Sequence, residues 1–159
     1  MTECLWAPSE ARISTSQLAT FMKQNGPFDG YDALWEWSVK DRAAFWSAVW
    51  DFSGVVGRKG ETILTSSDHM LDDRYFPDAS LNYAENLLAR DRRGAALIGH
   101  TEDGARREIS WAELRAEVSR LQQALRAAGV GKGDRVAGVL PNIPETVLTM
   151  LAATSLGAV

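Results

Sequence analysis

From residue 129 the chain reads Gly-Val-Gly-Lys-Gly-Asp-Arg-Val-Ala-Gly-Val-Leu-Pro-Asn-Ile-Pro-Glu, and then Thr-Val-Leu-Thr-Met-Leu-Ala-Ala-Thr-Ser-Leu-Gly-Ala-Val to residue 159. This stretch limits the fold more than any other. A glycine turn leads into residues 135–140, a short run apolar at nearly every position, as expected of a strand covered on both faces. An apolar helix follows. A strand and its crossover helix must return to a second parallel strand of the same sheet. Here the helix reaches the last residues with nothing after it, so the expected fold is α/β with an unfinished sheet.

The three glycines resemble a phosphate loop only at first sight. Neither GxGxxG nor GxxxxGK[ST] can be laid on residues 129–136. A phosphate cradle also follows a strand and opens a helix, whereas these glycines close a helix and lead into a strand. They are expected to form a structural turn. The 141–145 loop, Pro-Asn-Ile-Pro-Glu, lies beyond the carboxyl end of the expected strand, where open α/β sheets hold their ligands. Two readings of it stand. In one, Asn142 is an N-cap, Glu145 its N3 partner, and Pro144 sits harmlessly in the first turn. In the other, the loop lines a substrate or nucleotide cleft.

Upstream, the clearest helix is expected over residues 111–128. Ser110 and Glu113 have capping-box spacing, Ile109 and Leu114 occupy staple positions, and Gly129 with Val130 fits a Schellman closure. Residues 95–101 and 106–109 read as two strands, and Asp103-Gly104 between them suits a type I′ hairpin turn. Asn82 and Glu85 form a further capping pair, before an apolar face of Ala84, Leu87 and Leu88.

Before residue 75 the pattern is helical and aromatic. Leu18, Phe21 and Met22 share a face over residues 14–24. Asp29 can cap a helix in which Tyr31, Leu34 and Trp35 share a face, and Asp41 one carrying Phe45, Trp46, Val49 and Trp50 up to Gly54. Residues 57–60 read as a turn and 62–65 as a short strand. Four of the six tryptophans fall between residues 35 and 50. Ligand stacking is one reading, but their helical spacing favours packing. Burial of each is worth roughly 2 to 3 kcal/mol, enough to dock such a face onto another domain.

Composition excludes several functions. The net charge of -4 and pI near 5.2 argue against a nucleic-acid or anionic-lipid surface, which favours a basic patch. A lone cysteine, Cys4, cannot form an internal disulfide. The first residues lack a basic, then apolar, leader, and no window reads as a membrane span, so a cytoplasmic protein is expected. His69 and His100 are the only histidines. Neither has a second ligand at metal spacing, and nothing beside either supports a catalytic role.

Several segments, in order, resemble the N-terminal part of the AMP-forming acyl-CoA synthetases of the adenylate-forming superfamily. They are Tyr-Asp-Ala-Leu-Trp-Glu-Trp-Ser-Val-Lys-Asp from residue 31 with Phe45-Trp46, Tyr-Phe-Pro-Asp-Ala-Ser-Leu-Asn-Tyr-Ala-Glu-Asn-Leu-Leu from residue 75, Ile-Ser-Trp-Ala-Glu-Leu from residue 109, and the stretch from residue 129 with Leu-Pro-Asn-Ile-Pro-Glu and Leu-Ala-Ala-Thr-Ser-Leu-Gly-Ala. Gly-Asp-Arg-Val and Pro-Asn-x-Pro-Glu belong to the whole superfamily. The narrower pieces around residues 38–46 and 76–86 are most similar to the acetoacetyl-CoA synthetase branch; acetyl-CoA synthetases more often show Leu-Asn-Val and a following Asp-Arg-His. Arg42 stands where such proteins often have a helix-opening proline.

The resemblance implies a helical region over residues 1–75 and, over 76–159, the incomplete start of the large AMP-binding α/β domain. It implies a parent enzyme that activates acetoacetate with Mg-ATP to an acyl-adenylate and passes the acyl group to CoA. The family's phosphate loop, metal-side glutamate, ribose-binding aspartate and C-terminal lysine match nothing in these residues. No catalytic, cofactor-binding or metal residue is therefore expected here. The fragment itself is expected to be inactive, to bind none of these ligands tightly, and to need the remainder of its own large domain as partner. An acetyl- or propionyl-CoA synthetase is the alternative within the family, and a non-catalytic binding or scaffold module the alternative outside it.

Overall fold

The computed structural model describes residues 5–89 and 92–159, and Cys4 lies outside them. In chain order the elements are α1 (Glu10–Ser14), α2 (Gln17–Asn25), α3 (Gly30–Lys40), α4 (Arg42–Ser53), β1 (Gly57–Arg58), β2 (Leu64–Thr65), β3 (Arg74–Tyr75), β4 (Ser80–Leu81), α5 (Tyr83–Leu88), β5 (Ala95–His100), β6 (Arg106–Ser110), α6 (Trp111–Ala127) and α7 (Pro144–Ser155). They form two units. One holds residues 1–55 and 59–79, the other 56–58 and 80–159.

In the first unit α1 to α4 are joined by short caps. Ser16 accepts from the Ala19 N–H, Asp41 accepts from the Ala44 N–H at 3.0 Å, and Gly54 ends α4 in the left-handed region at φ 62°. Asp29 stands at the N-cap of α3 without making a side-chain cap bond. The aromatic face closes within the unit. Phe21 of α2 meets Phe45 and Phe52 edge-on at 5.9 and 5.1 Å, Trp37 lies 5.5 Å from Phe45, and Phe28 lies 5.3 Å from Trp37. Trp46 and Trp50 of α4 lie against Tyr75 and Phe76. Packing is therefore the observed role of this stripe, with its partners inside the unit.

The expected face of α3 needs correction. Leu34 is buried, but Tyr31 and Trp35 are 61% and 57% exposed, and the inward ring is Trp37. A three-residue step from Leu34 to Trp37 follows the helix as well as the step back to Tyr31, so the sequence pattern alone does not choose between them.

The 62–65 strand appears as β2, paired antiparallel with β3, Leu64 opposite Tyr75. Directly after β3, Phe76 has φ 49°, the sole positive φ of a non-glycine residue among those described. Its N–H donates to the Ile63 carbonyl at 2.8 Å and its ring packs at a tilt against Trp50 with centroids 4.9 Å apart, which holds this unfavourable conformation in place.

The second unit includes three residues expected elsewhere. Gly57 and Arg58, read from sequence as a turn, form β1 and pair antiparallel with Leu81 and Ser80 of β4. A Cβ on Gly57 would stand 2.7 Å from the Leu81 Cβ, so this close pairing requires glycine.

The rest of the unit is a β5–β6 hairpin with α5, α6 and α7 around one core of Ala84, Ile109, Leu114, Val118, Leu148, Leu151 and Ala152. The start of α6 is as expected. Ser110 accepts from the Glu113 N–H, the Glu113 carboxylate accepts from the Ser110 N–H at 2.8 Å, and the staple residues Ile109 and Leu114 are both buried. So is its end, where the Val130 N–H donates to Leu125 and the Gly129 N–H to Arg126, with Gly129 at φ 90°.

The hairpin turn differs from expectation. The Gly104 N–H donates to the Thr101 carbonyl at 2.9 Å and the Thr101 N–H to the Ala105 carbonyl at 3.1 Å, with positive φ at Gly104 and not at Asp103. This is a three-residue loop closed by a glycine bulge, where a type I′ turn would need positive φ at both central residues. Asp103 instead turns its carboxylate to the Ala105 N–H and the Thr101 hydroxyl.

Residues 135–140 form no strand ladder among the described residues. They carry one rung only. The Val159 N–H donates to the Asp134 carbonyl and the Val136 N–H to the Val159 carbonyl, both at 2.8 Å. That is the bonding of a parallel pair centred on Arg135 and Val159. The return expected to be missing after the last helix has thus begun.

Candidate functional site

The 141–145 loop and the C-terminal half of β5 enclose a cleft of about 290 Å³ in the second unit. Leu97 to His100 form one wall, and Asn142, Ile143, Pro144 and Val147 the other. Glycine at position 99 makes this approach possible. A Cβ there would lie 3.0 Å from both Cδ and Cγ of Pro144. A glycine inside a strand is a recognised sign of close approach, and was the signal in the sequence for this juxtaposition.

The loop is held by its own bonds. The Thr146 hydroxyl donates to the Pro141 carbonyl at 2.8 Å, and the Ile143 N–H donates to the same oxygen at 2.9 Å. Ile143, not Asn142, is the N-cap of α7, and no side chain caps the helix. The expected Asn142–Glu145 cap is replaced because Pro144 takes the first helical position, which shifts the cap one residue on. Glu145 pairs with Arg107 of β6, and this guanidinium, followed by the Glu145 N–H, holds its carboxyl below the usual range.

The cleft thus has mainly aliphatic walls, with Asn142 and His100 as the polar side chains among its lining residues. The imidazole of His100 makes no side-chain hydrogen bond among the described residues. No nucleophile and base are hydrogen-bonded to one another among the residues lining it. His69, the other histidine, is exposed in a loop of the first unit, before a 3-10 turn over Met70–Asp72.

The glycine turn is structural. The Gly131 N–H is taken by the Asp134 carboxylate at 2.8 Å, the Gly133 N–H by the Gly157 carbonyl at 2.9 Å, and Gly129 closes α6. These amides are spent within the protein and stand at a helix C-terminus, whose partial charge repels anions. The glycine turn therefore offers no phosphate cradle. Nor do any three His, Cys, Asp or Glu side chains among the described residues come together to hold a metal ion.

Sequence reasoning missed one further pairing. Asn86 of α5 bonds both backbone groups of Val56, and only the adjacent β1–β4 ladder, itself unforeseen, brings them together.

Comparison with known proteins places this architecture. The family described as "Acetyl-coenzyme A synthetase N-terminus" matches residues 31–87, and that described as "AMP-binding enzyme" matches residues 85–159. The chain is 50% identical over 160 residues to "Acetoacetyl-coenzyme A synthetase" of Rhizobium meliloti (strain 1021), covering 98% of the chain and 25% of the relative. It is 34% identical to "Malonamoyl-CoA synthetase vrtB" of Penicillium aethiopicum over 99% of the chain and 23% of that protein. The solved structure "Acetoacetyl-CoA Synthetase from Streptomyces lividans" superposes with a TM-score of 0.83 at 35% identity, covering 99% of the chain and 26% of that protein. The chain spans about a quarter of the length of the relatives it matches. Two consecutive family matches and a superposition along nearly the whole chain show it to be homologous to part of the acetoacetyl-CoA synthetases, with an acetyl-coenzyme A synthetase N-terminus region followed by an AMP-binding enzyme region.

Proposed function

We propose that this chain is the N-terminal part of an AMP-forming ligase that joins acetoacetate, a ketone-body acid, to CoA in the cytoplasm. Its 50% identity to the Rhizobium meliloti protein along 98% of the chain carries this reading. In the complete enzyme the acetoacetate carboxylate attacks the α-phosphate of Mg-ATP, pyrophosphate leaves, and the CoA thiolate then displaces AMP. Residues 1–75 serve as the helical N-terminal region and 76–159 as the start of the large AMP-binding domain. None of these residues is assigned a catalytic, nucleotide or metal role, and the 159-residue chain alone is inactive.

The Penicillium relative supports a broader wording of the substrate class. Acetoacetate and malonamate both carry a carbonyl β to the carboxylate, whereas acetate and propionate do not. The test compares CoA-ester formation from these four acids by the complete protein. Preference for the β-carbonyl acids supports the reading, and preference for acetate or propionate overturns it.

A further inference from the structure

The cleft of about 290 Å³ between β5 and the 141–145 loop is selective by what lines it. Leu97, Ile98, Ile143 and Val147 give it aliphatic walls, and no Lys, Arg, Asp or Glu is among its lining residues. The first turn of α7 supplies no anion cradle either. Pro144 has no N–H, the Ile143 N–H is taken by the Pro141 carbonyl at 2.9 Å, and the Thr146 N–H by the Ile143 carbonyl at 3.0 Å. The Arg107 guanidinium of β6 is already paired with Glu145. A phosphate or carboxylate entering here would lose its hydration without gaining a cation. Two polar side chains remain in the lining, Asn142 and His100, and neither makes a side-chain hydrogen bond among the described residues.

Aliphatic walls with two hydrogen-bonding side chains suit an uncharged, flexible chain that carries amide groups. The loop forming one wall also lies on the side of residues 135–140 where open α/β sheets hold their ligands. Of the reactants of the proposed ligase, acetoacetate is a carboxylate and ATP carries its phosphates on a flat base and sugar. No Phe, Tyr or Trp lines the cleft for such a base to stack on. The pantetheine arm of CoA, by contrast, is uncharged, with methyl and methylene groups spaced by a hydroxyl and two amides. We infer that this cleft holds the pantetheine arm of CoA, with the Asn142 side chain hydrogen-bonded to one of its amides and His100 as a second polar contact. The inference rests on the reading that the complete protein is a CoA ligase, and it assigns no residue to the nucleotide end of CoA.

Calorimetric binding to the complete protein tests it, with CoA and with the phosphorylated ADP moiety of CoA that lacks the arm. Asn142→Ala removes the amide, and Ile98→Trp fills the cleft from a half-exposed position. Each should weaken CoA by about tenfold, the upper end of what one neutral hydrogen bond contributes. Affinity for the armless nucleotide should match the parent's in both variants, which also shows that they fold. Parental CoA affinity in either variant overturns the assignment. So does an equal loss with the armless nucleotide, since the cleft would then serve the nucleotide end. A complete protein that binds CoA in the expected pattern but does not activate acetoacetate would sink the functional reading alone; an acetoacetate ligase whose variants keep parental CoA affinity would sink this one alone.

Discussion

The side chain of Asn86 pairs with the backbone of Val56 as a neighbouring strand would: its Oδ1 accepts from the Val56 N–H at 2.7 Å and its Nδ2 donates to the Val56 carbonyl at 2.8 Å. The same Nδ2 also donates to the Asn82 carbonyl one turn earlier. One amide thus fixes the approach to β1 against the helix that follows β4. Replacing Asn86 by Ala should lower stability by about 1 to 2 kcal/mol, the loss of hydrogen bonds whose partners can still reach water. Urea unfolding measures this, and faster exchange of the Val56 amide should accompany it.

Gly129 and Gly131 lie two residues apart and should respond differently to substitution. Gly129 holds φ 90° in the Schellman closure of α6, so Gly129→Val should cost about 1 kcal/mol or more. Gly131 lacks a positive φ, and a Cβ there would meet only an Asp134 oxygen at 3.9 Å. Gly131→Ala should stay within about 0.5 kcal/mol of the parent. Thermal midpoints of the two variants check the contrast.

Glu113 gives the fold a defined acid limb. The Ser110 N–H, and then its hydroxyl, donate to the Glu113 carboxylate and hold it below the ordinary 4.5. The folded value lies below the unfolded one, so the stabilisation is complete above about pH 4.5 and fades as pH falls through the folded value. Glu113→Gln should flatten that part of the stability–pH curve. Urea midpoints of both proteins between pH 6 and 3, roughly the span over which such carboxylates titrate, measure the difference.

Leu151 of α7 is completely buried in the second unit's core. Leu151→Ala should cost about 2 to 5 kcal/mol, through lost transfer energy and the cavity left behind. Leu71→Ala, at a side chain almost fully in solvent, should change stability by less than about 0.5 kcal/mol. Comparable losses from the two substitutions would contradict the assigned core.

What could be read from the sequence was what is written locally. Ser110 with Glu113, and Gly129 with Val130, act within a few residues and are observed; of the Asn82–Glu85 pair, the Asn82 cap on the Glu85 N–H is made. Features that depend on distant partners were not legible. Gly57 and Arg58 look like a turn until β4 arrives beside them. The cavity at the 141–145 loop is not legible locally, because its second wall comes from β5 and needs the absent Cβ of Gly99. Asn142 has the residue type of a cap, but Pro144 at the first helical position gives that place to Ile143. Residues 135–140 have a strand's composition but form no ladder, since pairing requires a neighbour and Val159 supplies a single rung.

The most direct test of the account is acid-dependent isotope exchange between ATP and pyrophosphate, run on the complete protein and on the 159-residue chain. The account predicts exchange driven by acetoacetate in the complete protein, weaker exchange with acetate or propionate, and none with the 159-residue chain. Acetoacetate-dependent exchange by the 159-residue chain, or a complete protein that prefers acetate, would contradict it.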